Sequence, residues 1–272
     1  MDIKGKAAIV TGAGSGIGRA VALELAQREV AGLALVDKME SVVEVVAKVN
    51  DLAHKTIAYP FIGDVTQSAF RTQVFDEIER RVGVPRICIP CAGITRDGLS
   101  VKVDKVSGNV ALYPEESFRL VLELNLVAST YWVLEMVGRI AADRFRRNAG
   151  RWNPKTEELE GTAIFIGSVS SLGNKGQIAY SATKRGLEAV AATLMKEAMF
   201  YGVKSAVIHP GYTDTPMVRV LGDEFIEKNI LPHTQLKRLV RPEEIASSIC
   251  FMISTSALTG ELWCDAGWHA AP

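Results

Sequence analysis

The sequence predicts an α/β fold, a doubly wound parallel sheet of about seven strands with helices on both faces. Three observations predict it. Short apolar runs rich in Val and Ile alternate with longer stretches of helical periodicity along the chain. The first run leads straight into a glycine-rich turn, Thr11-Gly12-Ala13-Gly14-Ser15-Gly16-Ile17-Gly18, that opens a helical pattern. Asp37 then closes the second run, about 20 residues further on.

The strand runs are 7–10, 32–36, 56–62, 86–90, 162–166, 203–209 and 261–264. Helical stretches lie between them near 17–28, 40–52, 67–82, 114–147, 178–201 and 242–253. Strand after strand with a helix between implies crossover connections, and sheets of this kind bind ligands at the carboxyl ends of their strands. Two segments break the alternation, 95–112 and 148–160, the second strongly polar with Pro154. Both read as surface insertions, the second a solvated excursion before a functional one. Residues 212–237 follow a strand end and carry Met217, Leu221, Phe225 and Ile230 at helix-like spacing, which suits a mobile lid over substrate. With no repeat, low-complexity tract or linker, residues 1–272 read as one domain.

The chain has 272 residues, 48% hydrophobic and 23% charged, with Lys plus Arg and Asp plus Glu both at 31. Such a balance provides no field to hold nucleic acid or an anionic membrane, so a small-molecule partner is expected. The basic run 144–151 reads as a solvated helix end. The first strand begins too early for a leader peptide and no apolar run approaches a membrane span, so a cytoplasmic location is expected. Cys88 and Cys91 belong to a strand and the turn after it, which favours burial over redox or metal chemistry.

Glycines where a strand turns into a helix let the backbone approach a pyrophosphate, and the free amides of the helix supply the anion site. Gly12, Ser15, Gly16, Ile17 and Gly18 are therefore candidate dinucleotide contacts, although the spacing is Gly-x-x-x-Gly-x-Gly. The Asp37 carboxylate suits the ribose 2'-hydroxyl of NAD and repels the 2'-phosphate of NADP, with Lys38 as a neighbouring cation. Asp64, beside Val65, either reaches the adenine or caps the helix near Thr66. Tyr180 and Lys184, four apart, share one helix face, and an ammonium near a phenol lowers its pKa toward the range useful for proton transfer. Hydroxyls after the fifth strand, at Ser168 and Ser170, could hold a substrate oxygen. Asn125, flanked by Leu124 and Leu126, is either a structural hydrogen-bonder or part of a polar relay.

Taken together, these residues resemble the short-chain dehydrogenase/reductase family over essentially the whole chain. The resemblance rests on the glycine turn, Asp64-Val65, Cys91-Ala92-Gly93, Asn125, Ser168, Tyr180-x-x-x-Lys184, the run Pro210-Gly211-Tyr212-Thr213-Asp214-Thr215, and Asp265-Ala266-Gly267. It implies a Rossmann-type domain and an NAD-dependent enzyme that interconverts a secondary alcohol and a ketone. It further implies a catalytic tetrad of Asn125, Ser168, Tyr180 and Lys184. Cys91, Ala92, Gly93, Pro210, Gly211, Thr213 and Thr215 join the cofactor site, with Thr215 near the nicotinamide amide. Assembly into homotetramers or homodimers through the helix from Tyr180 and the C-terminal segment is implied as well.

Three features depart from the family pattern. Cysteine stands at 91 where the family has asparagine, and Ala266-Gly267-Trp268 displaces the usual final glycine. Ser168 lies twelve residues before Tyr180, one fewer than usual, so Ser170 is the alternative serine. The expected substrates are those of 3-oxoacyl thioester reductases and hydroxyacyl or hydroxysteroid dehydrogenases. A non-catalytic NAD-binding subunit is the competing reading, motivated by the shortened serine turn.

Overall fold

Nine strands and nine α-helices follow one another in the computed structural model, which describes residues 1–268. In chain order they begin β1 (Ala7–Thr11), α1 (Gly16–Gln27), β2 (Gly32–Asp37), α2 (Ser41–Ala53), β3 (Ala58–Ile62), α3 (Ser68–Arg81) and β4 (Pro85–Pro90). There follow β5 (Val101–Val103), β6 (Val110–Leu112), α4 (Glu115–Leu122), α5 (Ser129–Arg146), β7 (Gly161–Ile166) and α6 (Ile178–Glu197). The chain ends with β8 (Val203–Pro210), α7 (Pro216–Arg219), α8 (Asp223–Phe225), α9 (Pro242–Ser254) and β9 (Gly260–Cys264). Seven of the strands form one parallel sheet in the order β3-β2-β1-β4-β7-β8-β9. The seven predicted runs are these seven strands.

Side chains alternate across each strand and so feed two separate cores. Ala8 and Val10 of β1, with Leu33 and Leu35 of β2, pack with Val21, Leu25, Val42, Val45 and Ile249 from α1, α2 and α9. Ile9, Ala34 and Val36 face the other way, onto Phe75, Trp132, Met136 and Leu187 from α3, α5 and α6. A fully buried aliphatic or aromatic side chain contributes roughly 1.5–3 kcal/mol. The sheet is thus held equally from both faces, and its order reverses direction at β1 and β4. Connections leave these two neighbours toward opposite edges, which opens a crevice at their carboxyl ends.

Four expectations need correction. The helix anticipated over 114–147 runs from Glu115 to Arg146, but its turn over Glu123–Ala128 widens to π geometry, and Asn125 sits in that turn. Such insertions often mark functional sites. This 32-residue helix is also long and apolar enough to cross a membrane, contrary to the expectation that no run approaches a span. Its apolar face is spoken for, because Trp132, Val133, Met136 and Ile140 belong to the core. The insertion 95–112 folds into an antiparallel hairpin, β5 with β6, whose Val101, Val103, Val110 and Leu112 are exposed.

The fourth correction concerns the polar segment 148–160 and the basic run before it. Arg144 is not solvated; it is 1% exposed and clamps the segment to α5. Its guanidinium donates to Glu157 at 2.6 Å, Glu160 at 2.8 Å and the Gly150 carbonyl at 2.8 Å. Glu160 also accepts from Arg86 on β4 at 2.7 Å. Removing one partner of a buried ion pair strands the other, so Arg144→Met should destabilise the fold by about 3 kcal/mol. Arg146→Met removes only pairs of a half-exposed side chain, to Glu79 and Asp143, and should change stability by less than about 1 kcal/mol. Urea unfolding midpoints of the two variants check the contrast.

Candidate active site

At the β1/β4 crevice a cleft of about 550 Å³ opens, lined from the glycine turn at one end to Tyr180 and Met217 at the other. Gly12 has φ +63°, and a Cβ there would lie 2.7 Å from the Ala92 nitrogen, so the turn after β1 can rest on the turn after β4 only without a side chain. Gly18 packs as closely, since a Cβ would run into the Gly12 carbonyl. Thr11 completes the junction by accepting from the Cys91 amide through its carbonyl at 3.2 Å and from the Ala92 amide through its hydroxyl at 3.2 Å.

The first turn of α1 contains no acidic residue, and the Ser15 side chain does not cap it. The leading amides and the positive end of the helix are left for an anion, which fits a pyrophosphate. Asp37 is held at the end of β2 by two amides, Gly14 at 2.9 Å and Met39 at 2.9 Å. Asp64 accepts from the Thr66 amide at 2.9 Å and the Thr66 hydroxyl at 2.8 Å, bonds that hold its carboxyl below the usual range. This is a turn two residues long, so of the two readings the helix cap is not formed, because α3 begins only at Ser68 with Gln67 before it. Asp37, Asp64 and Val65 all line the cleft.

Asn125 is fully buried and paired. Its carbonyl oxygen accepts from the Ile94 amide at 2.9 Å, and its amide donates to the Ile94 carbonyl at 2.9 Å. The π turn aims this amide across to the loop after β4, fixing the path of Gly93 and Ile94. Of the two readings, the structural one has its bonds on view.

Tyr180 and Lys184 stand at the start of α6 on one face, with the Lys184 Nζ 5.3 Å from the tyrosine ring centroid. The expected lowering of the phenol pKa is not what this arrangement produces. Burial pushes Tyr180 up to about 12, against a smaller opposing pull from the Ser168 hydroxyl. Lys184 is itself lowered to about 8 by burial, and its ammonium donates to the Ile166 carbonyl at 2.8 Å at the end of β7. Desolvation favours the neutral form of each group more strongly than the pair favours the charged ones. At neutral pH the tyrosine therefore carries its proton.

The two serines separate by geometry. The Ser168 hydroxyl is near enough to the Tyr180 phenol to pull its pKa down, and it accepts from the Ser170 amide at 3.0 Å. The Ser170 hydroxyl instead donates to Gln177 at 2.8 Å. A short 3-10 turn, Val169–Leu172, absorbs the missing residue and keeps Ser168 beside the tyrosine.

Gly12, Ser15, Gly16, Ile17, Gly18, Cys91, Ala92, Gly93, Tyr180, Lys184 and Thr215, all candidate site residues, line the cleft. Pro210, Gly211 and Thr213 do not; they lie behind it. A Cβ on Gly211 would meet the Asp265 backbone at 2.6 Å, and the Thr213 hydroxyl donates to the Gly211 carbonyl at 3.0 Å. These residues aim the turn that presents Thr215. The cleft also takes Gly63, Ile94, Arg96, Leu120 and Leu124, which the sequence reading missed. A glycine directly after β3 was the one available signal, since a Cβ on Gly63 would strike the Phe70 ring at 2.6 Å. Of the lid expected over 212–237, Thr215, Pro216 and Met217 reach the cleft. The remainder packs on itself through Ile226, Ile230 and Leu239.

Cys88 and Cys250 are buried free thiols, and Cys91 and Cys264 are partly buried ones. Burial raises the Cys88 pKa and pushes Cys91 up to about 12, so neither is a reactive thiolate.

A crevice at a topological switch point, an uncapped helix start and a Tyr-Lys pair at the cleft wall together define a dinucleotide-dependent enzyme. Comparison with known proteins is consistent with that class. Residues 6–225 match the family model described as short chain dehydrogenase. The chain is 30% identical over 266 residues to the 3-oxoacyl-[acyl-carrier-protein] reductase FabG of Escherichia coli (strain K12), covering 96% of each. A solved chain titled ribose-5-phosphate isomerase from Brucella melitensis 16M is 26% identical, with TM-score 0.78 over 98% of this chain and 93% of that one. A short-chain type dehydrogenase/reductase from Mycobacterium marinum matches with TM-score 0.82 at 22% identity, over 99% of this chain and 98% of that one. The chain belongs to the short-chain dehydrogenase/reductase family. It is accordingly an oxidoreductase of alcohol and carbonyl groups that works with a nicotinamide dinucleotide.

The lowered pKa of Lys184 has a consequence for stability. Its burial as a cation opposes folding below about pH 8, and that opposition fades as pH rises from about 8 toward lysine's ordinary 10.5. Lys184→Met should therefore stabilise the cofactor-free protein at pH 7 by roughly 1–3 kcal/mol, partly offset by the bond to Ile166 that it loses. Denaturant titrations at pH 7 and pH 10 check this: the gain should shrink at the higher pH.

Proposed function

We propose that the chain is an NAD(H)-dependent oxidoreductase interconverting a secondary alcohol and a ketone, with Ser168, Tyr180 and Lys184 as its catalytic group and Asn125 positioning the loop beside them. One observation carries the reading: the Tyr180 phenol, with Ser168 against it and Lys184 below it, faces the same cleft as the uncapped amides of α1. A bound nicotinamide would supply or accept the hydride. Tyr180 would give its proton to the carbonyl oxygen in reduction and recover it in the reverse direction. Ser168 would hold that oxygen, and Lys184 would stabilise the phenolate left behind. Asn125 keeps the Ile94 backbone in place beside them. The shortened serine turn, which motivated a non-catalytic reading, still delivers Ser168 to Tyr180.

NAD is proposed over NADP because Asp37 is pinned by two amides at the cleft wall, where a carboxylate accepts from a 2'-hydroxyl and repels a phosphate. A 3-oxoacyl or 3-hydroxyacyl thioester is proposed as substrate class on the relatives' names and on the hairpin. Its base is tied to the loop before Tyr180, Gly98 donating to the Gly176 carbonyl at 2.8 Å and Gln177 to Asp97 at 3.1 Å. The aliphatic side chains above that base are exposed and suit an apolar tail. A hydroxysteroid meets the same surface. A soluble cytoplasmic homotetramer or homodimer, paired along α6 and the C-terminal segment, is the proposed assembly.

Tyr180→Phe should lower kcat by about 10³-fold or more while leaving NADH affinity unchanged, assayed by NADH consumption against 3-oxoacyl thioesters and ketosteroids. Full turnover in that variant would refute the mechanism. Ser168→Ala should lose about 10²-fold in kcat and Ser170→Ala far less; equal effects would remove the serine assignment. In fluorescence titrations NADH should bind at least tenfold more tightly than NADPH, and Asp37→Ala should erase the difference. Tighter NADPH binding by the unmodified chain would overturn the NAD reading.

A further inference from the structure

Behind Ser168, on the side away from the cleft, three groups from distant parts of the chain converge. His209 near the end of β8 is fully buried, Glu188 on α6 is nearly so, and Glu261 on β9 is half-exposed. The His209 Nε2 lies 3.3 Å from a Glu261 oxygen and 3.8 Å from Glu188 Oε1, with the three donor atoms within 4.8 Å of one another. Neither the His209 Nε2 nor Glu188 Oε1 has a hydrogen-bond partner among the described residues. Orphaned polar atoms in the interior are costly, and two carboxylates meeting there repel. Arg185 answers only the other Glu188 oxygen.

We propose that Glu188, His209 and Glu261 form a binding site for a divalent transition-metal ion such as zinc or manganese. One imidazole and two carboxylates make a donor set these ions accept. Ligands bonded at about 2.1 Å in a tetrahedral arrangement lie about 3.4 Å apart, close to the 3.3 and 3.8 Å from the imidazole nitrogen to the two carboxylates. The outer contacts fit as well. Metal-bound histidine normally donates its other ring N–H to a carbonyl or carboxylate, and the His209 Nδ1 lies 3.2 Å from the Ser168 carbonyl oxygen. Trp263 stacks on the imidazole at 4.2 Å between centroids and 14° between planes, holding the ring in its plane.

The same ring couples the site to the serine loop. With Nε2 protonated, Nδ1 accepts from the Ser168 amide, 3.2 Å away. With a metal on Nε2, the ring proton moves to Nδ1, which then donates to the Ser168 carbonyl. An ion would therefore brace the backbone of Ser168 from behind.

The test uses the full chain, stripped with a chelator and titrated with zinc and cobalt by calorimetry and absorption. The expected result is one ion per chain, a cobalt spectrum without a thiolate charge-transfer band, and a higher Tm. Glu261→Gln, whose position is partly exposed and tolerant of change, and Glu188→Gln should each weaken binding by at least about tenfold and abolish the rise in Tm. Cys264→Ser should leave binding intact. No uptake by the folded chain, uptake indifferent to Glu261→Gln, or a thiolate band would each overturn the proposal.

Discussion

The contact between the turn after β1 and the turn after β4 is what the rest of the site depends on. Gly12 rests against Cys91 and Ala92 with no room for a side chain, and Thr11 accepts from both of their amides. Two parallel strands whose connections leave in opposite directions must open at their carboxyl ends. Without this contact that opening would be a loose seam. With it, the amides of α1 and the Cys91 to Ile94 loop become two walls of one rigid cleft, and Asn125 locks the second wall through both backbone groups of Ile94. Lys184 ties the third side to the end of β7.

The polar links among these are at least partly buried, so each stabilises only because it is satisfied. The site has the same property in its acid–base chemistry. Burial raises Tyr180 to about 12 and lowers Lys184 to about 8, so the interior disfavours both the phenolate and the ammonium. Strain of this kind is tolerated where the surrounding structure over-determines the geometry, as the two packed cores do here. The cleft is prepared for a partner that brings compensating groups.

How far the sequence alone reached follows the range of each interaction. Local patterns were legible: seven apolar runs became the seven strands, the glycine turn lies at the start of α1, and four-residue spacing put Tyr180 over Lys184. Features set by contacts across the chain were not. Nothing near Arg144 in sequence shows that Glu157 and Glu160 would return to bury it, so a basic run read as solvated. The π turn at Asn125 needs Ile94 as its partner, 31 residues away. The valines of 95–112 read as an irregular insertion because neither β5 nor β6 is more than 3 residues long. The serine ambiguity could not be resolved from spacing, since a 3-10 turn can absorb one residue without moving Ser168 from Tyr180.

One pattern was legible and unread. Tyr180, Lys184 and Glu188 follow each other at intervals of four, so they form one stripe along α6. Each turn of that stripe crosses to the next part of the sheet. Tyr180 meets the Ser168 hydroxyl just past β7, Lys184 reaches the Ile166 carbonyl at its end, and Glu188 approaches His209 at the end of β8. His209 returns to the Ser168 backbone, within hydrogen-bond distance of both its amide and its carbonyl. A single helix face thus touches the serine from the cleft through Tyr180 and from behind through Glu188 and His209. The segment with the least regular geometry at the site is held on both sides by the most regular one.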